Sequence, residues 1–478
     1  MLKRKFLKII FGLVLITSNI PTCFALSAQQ IQIGINNIIK KYDPGLDLGI
    51  EVRQLSTGAT LYQRNNNKLF MPASTLKIFT AVAALSYLGE DYKFQTKLLA
   101  KSNVVNHGAL NSDIFFYFDG DPTLHRDDLE NMIAVLEKSG ITNIQGNVII
   151  DDSVFDRESY GPGWMIDEKN FCYAAPTSAI TIDRNCFPFQ ISPGTRVNMP
   201  ATIIESAEYR FIPITSNIIT TRASYEDCPL NLQATNDNNY YISGCVHPSS
   251  STINLLIAVK NMRVYSSQVI AALLTEHHIR LAGKIKFDRL PVNQPMVTLV
   301  THTSEPLQTI LKRMLKKSDN LIADAVYKKI GSSYYHKRGT WKNSAKAIAA
   351  ILVNNTKIDF RKLKIVDGSG LSRFNLITPA QFNAVLRYAY LDQKIREPFM
   401  AALPTAGIDG TMRYRLPQLQ GRVKAKTGNM ASITSLAGYI NTASKQTLAF
   451  TIIVNDFLAK PHKYHKLQDE ICSFLARS

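Results

Sequence analysis

Three short stretches of this 478-residue chain carry residue types that could perform acyl transfer. Ser74-Thr75-Leu76-Lys77 sets a hydroxyl and an amine three residues apart. On a helix that spacing puts both on one face. A serine hydroxyl is a poor nucleophile until a base takes its proton. A lysine can be that base only when neutral, which burial and a second cation such as Lys426 would favour. In a first helical turn Ser74 would also meet free backbone N–H groups and the positive helix end, which suit developing negative charge. Ser318-Asp319-Asn320 reads as a loop just past a helix end, where the Ser318 hydroxyl could relay a proton and the Asn320 amide could bind a substrate carbonyl. Lys426-Thr427-Gly428 reads as a strand end, with Gly428 leaving room for an extended substrate along that edge. Acylation and leaving-group protonation act on different sides of the scissile bond, so the chemistry needs this division. Each pattern occurs once, in this order. One alone is unspecific, because a serine three residues before a helical lysine is ordinarily an exposed polar pair. The ordered set is specific.

Rival constellations are missing from the sequence. There is no Gly-x-Ser-x-Gly elbow, no His-Glu-x-x-His and no phosphate-binding loop. Glu276-His277-His278 and His462-x-x-His465 lack a third ligand and read as solvated surface. No metal and no cofactor are expected.

The elements that must position these residues are partly legible. Residues 28–41 read as a helix with Ser27 as N-cap, 46–55 as a strand, and 59–63 as its return after a Ser56-Thr57-Gly58 turn. Residues 74–88 read as a buried, alanine-rich helix ended by Gly89. Residues 305–316 place Leu307, Ile310, Leu311, Met314 and Leu315 at helical spacing. Residues 340–353 read as a further helix, and 422–427, 433–440 and 447–454 as neighbouring antiparallel strands. The stretch 464–475 reads as a short helix packing on the sheet or lying on a membrane surface. Between 93 and 295 the texture changes to short strand-like pieces broken by Pro, Gly and Asn. The expected fold class is therefore α/β (α+β), helices packed on an antiparallel sheet, interrupted by mainly-β or mixed inserted domains. The expected division is 26–92 plus 296–478 for the catalytic part and 93–295 for the insertion, with an inner unit near 190–256.

Bulk properties point outside the cytoplasm. Lys3, Arg4, Lys5 and Lys8 precede an apolar run from Ile9 to Ile16 that is too short to span a bilayer. Cys23-Phe24-Ala25 places a small residue before a cut after Ala25, the pattern of a secretory signal peptide. An uncleaved anchor is the alternative. The expected location is the periplasm. The net charge of +18 suits anionic polymers or lipid headgroups. Nucleic acid is not an expected partner, since neither zinc-ligand spacing nor an RNA-binding signature is present. Cys172, Cys186, Cys228 and Cys245 allow three disulfide connectivities. Short loops favour Cys172–Cys186 and Cys228–Cys245. Cys472 reads as a buried small hydrophobe.

Through the segments MPASTLKIFTAVAAL, GDPTL, GPGW, DRNCF, MLKKSDNLIADAV, DGSGLSRFNLITPA, LPTAGIDGT and AKTGNMASITSLAGYI, the chain resembles a known family. It is similar along nearly its whole mature length to the class C penicillin-binding proteins. These are D-alanyl-D-alanine carboxypeptidase/endopeptidases of the penicillin-binding-protein-4 type, peptidase family S13. The 318 − 74 = 244 positions between Ser74 and Ser318 match the family's inserted domains and leave no place for a compact β-lactamase. The resemblance implies Ser74 as acylated nucleophile, Lys77 as its base, and Ser318 with Lys426 as proton relay and electrostatic clamp. It implies Asn320 as a contact for the acyl-side amide, Thr427 for the terminal carboxylate, and the N–H groups of Ser74 and Asn429 as oxyanion hole. The family often has a small hydroxyl residue where Asn429 stands. Arg373 is a candidate second carboxylate contact, and Asp167 or Glu168 a candidate contact for the ammonium of a diaminopimelate stem. Peptidoglycan stem peptides and β-lactam antibiotics are the implied partners. Peripheral membrane or wall association and a homodimer stay open. A soluble β-lactamase and a non-catalytic wall-binding or antibiotic-sensing protein are the competing readings.

Overall fold

The computed structural model describes residues 26–101, 105–224, 226–356, 358–359 and 362–478. The signal-peptide reading of residues 1–25 lies outside them. The two ends of the chain meet in one antiparallel sheet. Its strands are β1 (Asp47–Gln54), β2 (Thr60–Arg64), β3 (Val423–Met430), β4 (Ile433–Asn441) and β5 (Thr447–Asn455). Their order is β3-β4-β5-β1-β2, so β3 is an edge. β1 pairs with β5 over its full length, from Asp47↔Asn455 to Gln54↔Leu448. Strand β5 sends Leu448, Phe450, Ile452 and Val454 to one face and Ala449 and Ile453 to the other. That is the period-2 alternation of a strand covered on both sides.

Ten helices, α1 (Ala28–Ile39), α2 (Lys77–Tyr87), α3 (Arg126–Lys138), α4 (Met262–Glu276), α5 (Leu307–Lys317), α6 (Asn320–Tyr335), α7 (Trp341–Thr356), α8 (Pro379–Leu391), α9 (Gln393–Ala402) and α10 (His462–Ala476), lie among the described residues. α1 begins at a capping box in which Ser27 and Gln30 satisfy each other's backbone N–H. α1 and α10 cover one sheet face; α2 and α5 to α9 cover the other. α5 buries Leu307, Ile310, Leu311, Met314 and Leu315, the stripe its sequence spacing announces. α10 buries Tyr464, Leu467, Ile471, Cys472 and Leu475 against the sheet. Its apolar stripe is thereby used up, which replaces the membrane-surface alternative with packing. No helix among the described residues is long and apolar enough to cross a membrane.

The region between α2 and α5 builds separate sheets around its own apolar cluster, which runs from Leu98 to Ile279. A mixed five-stranded sheet takes Gln95–Ala100, Ile114–Phe118, Val148–Asp151, Ile285–Phe287 and Val297–Thr303. Its entering and leaving strands lie side by side, with Gln95 opposite Thr303. Two three-stranded sheets follow, one containing Cys186–Ser192 and one containing Tyr240–Val246. The cysteines pair as Cys172–Cys186 and Cys228–Cys245. Cys472 is a buried free thiol whose pKa burial pushes up.

Cys228 and Cys245 are 17 positions apart. Replacing both by serine should cost the region about 3 kcal/mol and lower its resistance to limited proteolysis in urea. The sheet β1–β5 should keep its own unfolding transition. A merged, lowered transition for the whole chain would contradict the separation of the two apolar clusters.

Candidate active site

Ser74 stands on a short 3-10 turn, Ala73–Leu76, just ahead of α2, rather than in the first turn of the α-helix itself. Ala73 has a positive φ of 48°. The turn is sewn to β4: Thr75 Oγ1 and Ser435 Oγ both donate to Pro72 O, at 2.7 and 2.6 Å. Gly428 is the third contact. A Cβ there would lie 2.3 Å from Ser435 Oγ and 3.0 Å from Ser74 N. The missing side chain therefore admits the turn that carries Ser74, and this corrects the expectation that it leaves room for substrate. Gly370 does the same from the opposite side, where a Cβ would lie 1.9 Å from Ala73 O.

Lys77 Nζ is wholly buried and has three partners: Ser74 Oγ at 2.9 Å, Asn320 Oδ1 at 2.6 Å and Ser369 O at 2.7 Å. Two of these can only accept. A neutral amine has two N–H groups and one lone pair. It can satisfy Asn320 and Ser369 with its hydrogens and turn the lone pair to the Ser74 hydroxyl. Burial lowers its pKa to about 8, against the opposing pull of Asp324, Asp367 and Asp319. Lys426 is also wholly buried and donates to Ser318 Oγ at 2.9 Å and Thr427 O at 2.6 Å. Burial, and then repulsion from Lys77, depress its pKa. The expected effect thus runs the other way: it is Lys426 that the second cation depresses.

Ser318 caps α5 in the left-handed region, φ 57°, and Asp319 N-caps α6 through Ile322 N. Asn320 is the first residue of α6 and not part of a loop. Its Nδ2 donates to Tyr173 O at 2.8 Å, and Asp319 pairs with Arg184 at 2.7 Å. Both partners belong to the segment closed by Cys172–Cys186. Lys426 and Thr427 lie within edge strand β3 and not at its end. Thr427 Oγ1 donates to Thr411 Oγ1 at 2.7 Å. Asn429 is exposed at the hairpin tip, with its Oδ1 bonded by Thr434 Oγ1.

The acidic pair divides. Glu168 feels Arg373 and sits near Tyr173; burial raises its pKa while Arg373 opposes. Glu168 Oε2 and Arg373 Nε are both buried without a hydrogen-bond partner. Asp167 instead lines an apolar cavity of about 630 Å³ with Phe189, Leu232, Ile242 and Leu255. Among the described residues no group of His, Cys, Asp and Glu could hold a metal ion.

Two carboxylates behind the site escaped the sequence reading. Asp324, one helical turn after Asn320, accepts from Gly368 N and Ser369 N at 2.7 and 3.0 Å. Burial and Asp367 raise its pKa. Asp367 accepts from Gly370 N, Ser372 N, Asn375 Nδ2 and Trp164 Nε1. Together they fix the loop that presents Ser369 O to Lys77. Their only sequence signal was membership of the segments MLKKSDNLIADAV and DGSGLSR.

A family model described as D-Ala-D-Ala carboxypeptidase 3 (S13) matches residues 31–478. The chain is 32% identical over 436 residues to the D-alanyl-D-alanine carboxypeptidase DacB of Haemophilus influenzae, covering 89% of this chain and 88% of that protein. Its structure is similar to a crystal structure of penicillin binding protein 4 (dacB) from Haemophilus influenzae. The TM-score is 0.87 at 30% identity, over 94% of this chain and 100% of that one. The same protein complexed with a novel β-lactam gives a TM-score of 0.82 at 30% identity, over 93% and 99%.

Acylation of Ser74 by a fluorescent penicillin should rise with pH, because Lys77 is an ammonium below about 8 and a base above it. The half-maximal rate should fall near that pH, with a plateau beyond. A rate that falls through the same window would exclude Lys77 as base. Lys77→Ala should slow labelling by at least about a hundredfold while the protein still unfolds cooperatively.

Replacing Cys172 and Cys186 by serine frees the ends of the segment carrying Tyr173 and Arg184. Labelling should slow about tenfold or more, whereas the Cys228/Cys245 replacement should leave it near wild type. Equal labelling by both variants would mean that the segment closed by Cys172–Cys186 does not hold Asn320 and Asp319 in place.

Proposed function

This chain belongs to the D-Ala-D-Ala carboxypeptidase 3 (S13) family, and on that premise we propose that it is an exported serine D,D-peptidase acting on peptidoglycan stem peptides through an acyl-enzyme on Ser74. One observation carries the reading: among the described residues the buried Lys77 amine has a single partner able to donate to it, the Ser74 hydroxyl. Ser74 Oγ attacks the D-alanyl carbonyl as its proton passes to Lys77. The N–H groups of Ser74 and Asn429 hold the oxyanion. When the C–N bond breaks, the proton held on Lys77 passes through the Ser318 hydroxyl, which Lys426 supports, to the leaving amine, and Lys77 is neutral again. Water then attacks the ester as the neutral Lys77 takes its proton, and Lys77 hands that proton to Ser74 Oγ as the acyl C–O bond breaks.

Both the terminal D-Ala–D-Ala bond and the D-Ala–diaminopimelate cross-link present a D-alanyl carbonyl with a free carboxylate beyond it. Lys426, Thr427 and Arg373 are the proposed carboxylate contacts. Charge-assisted bonds of that kind are worth roughly 1.5–3 kcal/mol each, enough to select against peptides without the carboxylate. Glu168, facing Arg373, is the acidic group proposed to meet an ammonium on the stem. β-Lactams acylate the same serine and block it. The periplasm is the proposed site of action. Residues 26–92 plus 304–478 form the proposed catalytic unit and 93–303 the insertion; the expected boundary at 295/296 shifts because Val297–Thr303 pairs with Gln95–Ala100 in the insertion's sheet.

Purified protein should release D-alanine from pentapeptide muropeptides and convert cross-linked dimers to monomers, read by mass spectrometry. Ser74→Ala should abolish both. Release of D-alanine with dimers left intact would reduce the function to a carboxypeptidase. Neither reaction, alongside rapid penicillin hydrolysis, would overturn it in favour of a β-lactamase.

A further inference from the structure

α10 packs on the sheet face opposite α2, and one of its side chains reaches the tip of the β3–β4 hairpin. His465 Nε2 lies 2.8 Å from Asn429 Oδ1. The same oxygen accepts from Thr434 Oγ1 at 2.9 Å. A carbonyl oxygen only accepts, so His465 carries its proton on Nε2. This corrects the solvated-surface reading for His465, which is half-buried and bonded, while His462 is exposed as that reading has it.

The position of Asn429 makes the contact consequential. Asn429 pairs with Thr434, one step from the last pair of the hairpin, Met430↔Ile433. β3 is an edge strand, so among the described residues no strand supports this tip from the other side. Hairpin tips and edges are where a sheet opens first. An oxyanion donor, in contrast, is effective only when it is held in place before charge develops. The helix that supplies His465 is itself pinned at that turn. Arg415 donates to His465 O at 3.2 Å, to Gln468 Oε1 at 3.0 Å and to Asp469 Oδ1 at 2.6 Å. Gln468 Nε2 reaches back to Thr434 Oγ1 at 3.4 Å. The polar chain from Arg415 through Gln468 and Thr434 thus closes on Asn429 from β4, while His465 closes on it from α10.

We propose that His465 is a positioning residue for the oxyanion hole: by holding the Asn429 side chain it fixes the hairpin tip whose Asn429 N–H stabilises the tetrahedral intermediate. The inference rests on the acyl-enzyme reading. His465 touches neither substrate nor Ser74; it acts through Asn429, so its effect belongs to kcat and not to KM.

The test is a double-mutant cycle on the full chain. His465→Ala should lower kcat for D-alanine release, and the rate of Ser74 labelling by a fluorescent penicillin, about tenfold, with KM within about twofold of wild type. In an Asn429→Ala background, which keeps the backbone N–H but leaves His465 nothing to hold, His465→Ala should cause no further loss. His465→Phe keeps a ring in place without the donor and runs the same cycle should the alanine variant not fold. Equal slowing in both backgrounds would make the role one of helix packing and overturn the proposal. A labelled wild type whose His465 variants label at the wild-type rate overturns it alone. A wild type that takes no label on Ser74 removes the acyl-enzyme reading and this one with it.

Discussion

Lys77 keeps its amine out of contact with water. Removing an ammonium from water costs several kcal/mol unless partners and counter-charges replace the hydration. Here the replacement is incomplete. Three oxygens surround Nζ and the carboxylates of Asp324 and Asp367 stand behind them, but burial outweighs them and the pKa falls to about 8. A fully compensated lysine would remain an ammonium and be useless as a base. An uncompensated one would not tolerate the site. The geometry around it follows from that compromise. Asp324 fixes Ser369, Asp367 gathers the Gly368–Asn375 loop, and Gly370 lets that loop touch the turn bearing Ser74.

The region between α2 and α5 is part of this arrangement. Trp164 joins the main apolar cluster and donates to Asp367. Tyr173 O accepts the Asn320 amide, which turns Asn320 Oδ1 toward Lys77. Arg184 neutralises the buried Asp319 that caps α6. Thus the 244 positions separating Ser74 from Ser318 supply the backing for two of the three motifs. The disulfide between Cys172 and Cys186 closes the segment from which two of these contacts come.

Backbone strain marks the same places. Ser318 and Ala73 hold positive φ without being glycine, a conformation costing of order 1 kcal/mol or more each. Such strain persists only where surrounding contacts over-determine it. Ser318 is held between the end of α5 and Lys426, and Ala73 between Gly370 and the sewn Pro72 turn. Both residues aim or flank a hydroxyl that the proposed chemistry uses.

Much was legible in the residues alone, where the governing physics is local. Ser27 and Gln30 announce the capping box of α1; the spacing from Leu307 to Leu315 announces the buried face of α5. The short loops between cysteines favour the pairings found. Ser74, Lys77, Ser318, Asn320 and Lys426 were recognisable because their patterns are short and ordered. What the sequence could not determine is what each side chain meets. Asn320 begins a helix because Asp319 caps it, and Lys426 lies inside a strand because β4 extends the ladder past it. Gly428 faces the Ser74 turn, His465 reaches Asn429 across 36 positions, and Tyr173 reaches Asn320 across 147. Helical spacing, capping and loop closure depend on neighbours within a few residues. The burial that lowers Lys77, and the acceptors that orient it, exist only once segments hundreds of positions apart have packed together.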